Sequence, residues 1–111
     1  MMGGCCVMIF IIIILVIQIN AIQVLWFYRD DCSYCNKMED EWSKFESSSR
    51  FSLFPRISTK KININDETNQ NLSNNYEIQG VPHIVKLGAD GYRDVYSGER
   101  TAAALTKWSQ K

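Results

Sequence analysis

Charge of either sign is not in excess in this chain. Twelve Lys and Arg against twelve Asp and Glu leave a formal net charge of zero over 111 residues, so no nucleic-acid partner is expected. Histidine is nearly missing, with His83 alone. A zinc site takes four ligands; beyond Cys32 and Cys35 the chain offers only Cys5 and Cys6, inside an apolar run, and His83, which follows a proline. No metal site is expected. Cysteine is also too scarce for a disulfide scaffold. Outside the N-terminal run one pair remains, and a pair three residues apart closes too small a loop to staple a fold. No internal repeat or low-complexity segment interrupts the chain, whose length suits one domain with one core.

What is present begins with an uninterrupted apolar stretch from Cys5 to Ile17. At about 13 residues it fits a signal-peptide core better than a full membrane span, which needs about 20. No Lys or Arg precedes it, and the best cleavage site, Ile19-Asn20-Ala21, has Ile where a smaller residue is usual. An uncleaved anchor is the rival, and Met2-Gly3-Gly4-Cys5-Cys6 is loosely similar to acylation signals. A buried element of the domain is the third reading. The expected organisation is residues 1–21 as a signal or anchor segment and 22–111 as the folded domain.

The chemistry sits in Trp26 to Met38, WFYRDDCSYCNKM. An apolar, strand-like run ends, two acids follow, and Cys32 and Cys35 stand at the start of a helical pattern. An i, i+3 spacing puts two sulfurs one turn apart, within reach of a reversible disulfide. A helix N-terminus favours negative charge, so the first thiol of such a pair is the more readily ionised. Cys32 is therefore the candidate nucleophile. Asp30 and Asp31 oppose its ionisation, and Arg29 is the cation close by on its N-terminal side.

In order, Ile22 to Tyr28 reads as a central strand. Cys35, Met38, Trp42 and Phe45 mark the inner face of a helix that Ser47-Ser48-Ser49 ends. Phe51 to Thr59 reads as a loop, and Lys60 to Asn65 as a strand through alternating Ile62 and Ile64. Asp66 caps a helix over Glu67 to Tyr76, stopped by Gly80-Val81-Pro82. His83 to Leu87 and Tyr92 to Tyr96 form a hairpin around Gly88-Ala89-Asp90-Gly91. Thr101 caps a last helix with Leu105 and Trp108 inward. The predicted fold is α/β, a mixed four-stranded sheet in the order β-α-β-α-β-β-α with helices on both faces. Trp26, Phe27, Trp42 and Trp108 read as core. His83 reads as a strand residue satisfied by its neighbours, although a shift of one residue in register would turn it to the other face.

From Ile22 to Trp108 the sequence resembles the thioredoxin superfamily, and within it the thioredoxin domains of protein disulfide isomerases, in a minimal form lacking the family's first strand and helix. The likeness rests on the strand-CSYC-helix unit, the KININ strand, the Gly80-Val81-Pro82 turn and Tyr96-Ser97-Gly98-Glu99-Arg100-Thr101. It implies a cis-proline at Pro82 beside the dithiol, and a Val81 backbone that hydrogen-bonds a substrate chain. Departures are equally specific. Asp31 replaces the usual tryptophan before the first cysteine, and Asp40 replaces the proline that kinks the helix. Ser33-Tyr34 differs from the dipeptides of thioredoxins and disulfide isomerases. Trp26 stands where the family keeps a buried acid that takes the resolving cysteine's proton; water or Asp30 would have to serve instead.

The expected function is that of a thiol-disulfide oxidoreductase, with Cys32 attacking and Cys35 resolving, and with Ser33, Tyr34, Val81 and Pro82 meeting the substrate. No cofactor is expected beyond the redox-active disulfide Cys32–Cys35 itself. The expected partners are proteins bearing thiols or disulfides and a separate redox partner, met by a monomer with possible membrane association. The setting would be secretory or membrane-associated, in the endoplasmic reticulum lumen or outside the cell, and cytoplasmic if the N-terminal run belongs to the fold. The alternative is a thioredoxin-like binding module that holds unfolded or partner polypeptides without turnover.

Overall fold

A strand that is bulky and apolar on both of its faces has to lie inside a sheet with layers above and below it. β1, Ala21–Tyr28, does so in this computed structural model, which describes residues 21–53 and 55–111. It lies between the parallel β2 (Arg56–Asn63) and the antiparallel β3 (His83–Gly88), and β4 (Arg93–Val95) completes the order β2-β1-β3-β4. The helices are α1 (Ser33–Ser49), α2 (Gln70–Asn75), entered through a 3-10 turn at Glu67–Asn69, and α3 (Ala102–Ser109). The expected element order is the observed one. The expected signal or anchor segment, 1–21, lies outside the described residues apart from Ala21, which opens β1, and among those described no helix is long and apolar enough to cross a membrane.

Alternation along β1 divides the core. Val24 and Trp26 point to a layer shared with Met38, Trp42, Phe45, Ile57 and Leu105, which α1 and α3 cover. Leu25 and Phe27 point the other way, to Ile62 and Val85, with Leu72 and Tyr76 packed against them. The face of α1 predicted from three- and four-residue steps is the buried one: Cys35, Met38, Trp42 and Phe45. Asp40 leaves α1 unbroken, where the family's proline would remove a backbone donor. The serines at its end do not stop it early. Ser48 and Ser49 turn their hydroxyls back to the carbonyls of Phe45 and Glu46, and the helix runs to Ser49.

Expected and observed bounds differ most at β2 and α2. β2 begins at Arg56, inside the predicted loop, because pairing with β1 starts at Ala21↔Arg56 and only Ile57 of the polar run Arg56–Thr59 turns into the core. Backbone pairing there outweighs a weak side-chain pattern. α2 is shorter than the predicted Glu67 to Tyr76, because its first three residues, Glu67–Asn69, form a 3-10 turn and it ends at Asn75. Tyr76 closes it and Glu77 takes a left-handed conformation, at φ 50°, in a place usually held by glycine. At the hairpin tip Gly91 supplies the positive φ, 89°, that the turn requires.

α3 is anchored at both ends, which fixes the loop before it. Thr101 Oγ1 accepts the Ala104 N–H at 3.2 Å, and Glu41 Oε2 of α1 accepts the Ala102 N–H at 2.8 Å. A carboxylate at a helix N-terminus is favoured by the exposed backbone donors. At the other end the buried Lys86 donates to the Trp108 carbonyl at 2.8 Å, and Trp108 Nε1 donates to Asp94. Burial lowers the pKa of Lys86, opposed by the nearby Asp94.

Candidate active site

Chain direction brings the thiol pair to the C-terminal end of β1, where α1 starts. Cys32 is the N-cap of α1, with extended backbone, and its Sγ accepts the N–H of Cys35 at 3.1 Å. The cap that usually falls to an Asp or Ser is here taken by sulfur. The donor directed at Sγ, with the helix end behind it, stabilises negative charge on that atom once the disulfide opens. Cys32 and Cys35 are joined, with Cα atoms 5.2 Å apart. Both are buried, and Cys35, 2% exposed, is the deeper of the two.

Opposite Cys32 runs the turn before β3. Its Sγ lies 3.8 Å from the Val81 carbonyl oxygen, and the Val81–Pro82 peptide bond is cis. Val81 and Pro82 are half-buried, whereas Ser33 and Tyr34 are exposed between the cysteines. All six predicted site residues thus lie at one end of the sheet.

Each of the two acids before Cys32 has a partner of its own. Asp31 pairs with Arg29 at 2.8 Å, and Asp30 accepts from Asn63 Nδ2 at 3.1 Å. Asp30 is thereby engaged at the surface, whereas Cys35 is buried. Trp26 is fully buried and belongs to the same core layer as both cysteines. Its ring lies 5.2 Å from that of Trp42, and neither indole N–H finds an acceptor among the described residues. Lys61, level with Trp26 in the β1–β2 register, lies 5.1 Å from the Trp26 ring and pairs with Glu39 at 2.6 Å. Sequence reading missed this pair. Its one local signal is that Glu39 stands one helical turn beyond Cys35.

Sequence reading also missed the surroundings of Tyr34. Tyr34 is 59% exposed, with Lys37 Nζ 5.4 Å and the Arg100 guanidinium 5.6 Å from its ring centroid. Lys37 follows by three residues on α1. Arg100 arrives from the loop before α3.

His83 is paired in register with Phe27 and its ring packs edge-on to Phe27, at 5.9 Å, on the face away from Trp26. Burial lowers its pKa below the ordinary 6.5. As pH falls through 6.5 the unfolded chain gains a proton that the folded chain resists, so stability falls across that window and levels off below the folded value. His83→Phe is expected to lose less stability than the parent between denaturant titrations run above and below this pH. An identical loss in both proteins would show that His83 ionises freely.

Among known proteins, a family model described as a thioredoxin-like domain matches residues 13–111. The chain is 32% identical over 90 residues to Protein disulfide isomerase-like 1-1 of Arabidopsis thaliana, and 29% identical over 90 residues to a protein disulfide-isomerase of Ricinus communis. Each alignment covers 79% of this chain and 18% of the relative, so the chain spans less than a fifth of those proteins' length. The first thioredoxin domain of mouse Protein disulfide-isomerase A4 superposes with a TM-score of 0.67 at 25% identity, over 81% of this chain and 64% of that one.

Proposed function

Because this chain belongs to the thioredoxin-like domain family, we propose that it is a thiol-disulfide oxidoreductase acting on protein substrates. The observation that carries the reading is Cys32 Sγ at the start of α1, accepting the Cys35 N–H and facing the Val81 carbonyl. With the pair reduced, the Cys32 thiolate attacks one sulfur of a substrate disulfide. The other sulfur leaves as a thiolate, and Cys32 is held in a mixed disulfide. The Cys35 thiolate then attacks Cys32 Sγ, closing the Cys32–Cys35 bond and releasing the second substrate thiolate. The substrate gains two electrons and the pair loses two; a dithiol redox partner restores it. Run backwards, the same steps oxidise a substrate dithiol. Ser33, Tyr34, Val81 and Pro82 form the surface that meets the substrate, and the Val81 backbone is the hydrogen-bonding edge.

A second reading has one observation in its favour. Trp26 occupies the place of the family's buried acid, which suits a module that binds polypeptides without turnover. Reduction of insulin by the full chain with excess dithiol separates the two. Turnover supports the oxidoreductase; binding of unfolded chains with no turnover supports the module.

We place the protein in the secretory pathway or on a membrane facing it, a setting where thiol oxidation or isomerisation is favoured. The support is the apolar run Cys6 to Ile17, whose four consecutive isoleucines leave no polar face for a surface helix. The sheet from Ala21 onward is already covered on both faces. A chain starting at Asn20 is expected to be soluble, folded and redox-active. Aggregation or loss of the folded circular dichroism signal would make the run part of the core.

A further inference from the structure

The dithiol is flanked by two surfaces of opposite condition. On the β1 side each nearby charge is engaged: Arg29 with Asp31, and Asp30 with Asn63. On the side of Tyr34 two cations converge on one exposed aromatic ring, and neither has an ion-pair partner among the described residues. Lys37 and Arg100 form no ion pair among the described residues, although Asp40 lies one turn on from Lys37 and Glu99 adjoins Arg100. Glu41, the carboxylate of α1 nearest the start of α3, is occupied by the Ala102 N–H. That bond, the Thr101 cap and the hydrogen bond from the Tyr96 hydroxyl to the Glu99 carbonyl fix the backbone on both sides of Arg100.

We infer that Lys37 and Arg100, gathered at the Tyr34 ring, bind an acidic side chain of the substrate polypeptide close to the cysteine being exchanged. Tyr34 lies between the two cysteines in sequence, so a chain whose sulfur reaches Cys32 passes within a few residues of this ring. The aromatic face holds the cations in place by attraction to its π electrons. A guanidinium grips a carboxylate through paired N–H donors, and an ammonium adds a point charge. Two cations without an ion-pair partner among the described residues at the Tyr34 ring favour acidic sequences there and disfavour basic ones. The inference rests on the oxidoreductase reading and names the substrate class of that same site.

The test uses the reduced full chain and two disulfide-bonded peptides that differ only in Glu or Lys beside the cysteine. Second-order exchange rates at low salt are compared within each protein, so any effect common to both peptides cancels. The Glu peptide is expected to react on the order of fivefold faster, as two partly exposed ion pairs would give. Raised salt should erase the difference, because such pairs are screened. The double variant K37E/R100E, checked for folding by circular dichroism, should reverse the preference. Equal rates for the two peptides in the parent protein would overturn the inference and leave the oxidoreductase intact. No exchange with either peptide would overturn both.

Discussion

Cys32→Ser protein is expected to show no disulfide exchange above the uncatalysed rate, whereas Cys35→Ser protein is expected to attack once and stop with its substrate still attached. The difference follows from geometry. Cys32 is the helix cap, its sulfur receives the Cys35 N–H, and it faces the half-buried turn at Val81. Cys35 is one turn deeper, among Trp26, Met38 and Trp42. An incoming disulfide meets the outer sulfur first, and the inner one can act only on Cys32. Without Cys35 the mixed disulfide has no internal route of release, so it accumulates on non-reducing gels. Equal trapping by the two variants would refute the division of roles.

Phe45→Ala is expected to cost about 3–5 kcal/mol of folding stability, the range for truncating a large buried aromatic. Phe45 is 0% exposed, and its ring lies 5.3 Å from that of Trp42 in the layer joining α1 to the sheet. It carries no polar atom, so the loss is one of apolar burial and of the cavity left behind. Domains of this size are stable by about 5–15 kcal/mol. The variant would therefore lose a large share of its margin, and its denaturant midpoint should fall with little change in slope. Lys44→Ala, next to it on the solvent side, removes only a 3.9 Å contact to Glu41 and should stay within about 0.5 kcal/mol of the parent. A Phe45→Ala cost no larger than the Lys44→Ala cost would mean that α1 does not pack as described.

The dithiol, the inner face of α1 and the element order were legible because each is local. Cys32 and Cys35 are three apart, and Cys35, Met38, Trp42 and Phe45 repeat at the helical step. The start of β2 was not legible. Arg56 to Thr59 become strand through pairing with Ala21 to Val24, and a polar edge strand carries little of that in its own side chains. The surroundings of the site were hidden for the same reason. Arg100 meets Tyr34, and Lys61 meets Glu39 and Trp26, only once the sheet and α3 bring distant segments together. The side chains of Asp30 and Asp31 could be placed in sequence but not in direction. Their partners are Asn63 and Arg29, and the Arg29 pair offsets the charge of Asp31 that would otherwise oppose ionisation at Cys32.

The indoles of Trp26 and Trp42, tilted against each other and buried without hydrogen-bond acceptors among the described residues in the layer that holds the dithiol, also make the protein its own optical gauge. An excited indole surrendering no hydrogen bond to solvent emits toward the blue, and a neighbouring disulfide drains that emission by accepting an electron. Trp108, bonded to Asp94 and half-buried, supplies a second and steadier signal. Opening the Cys32–Cys35 bond should therefore brighten the blue component without any added dye, and Trp26→Phe should blunt the response. The same emission, followed against a series of thiol buffers, would give the reduction potential of the pair from light alone.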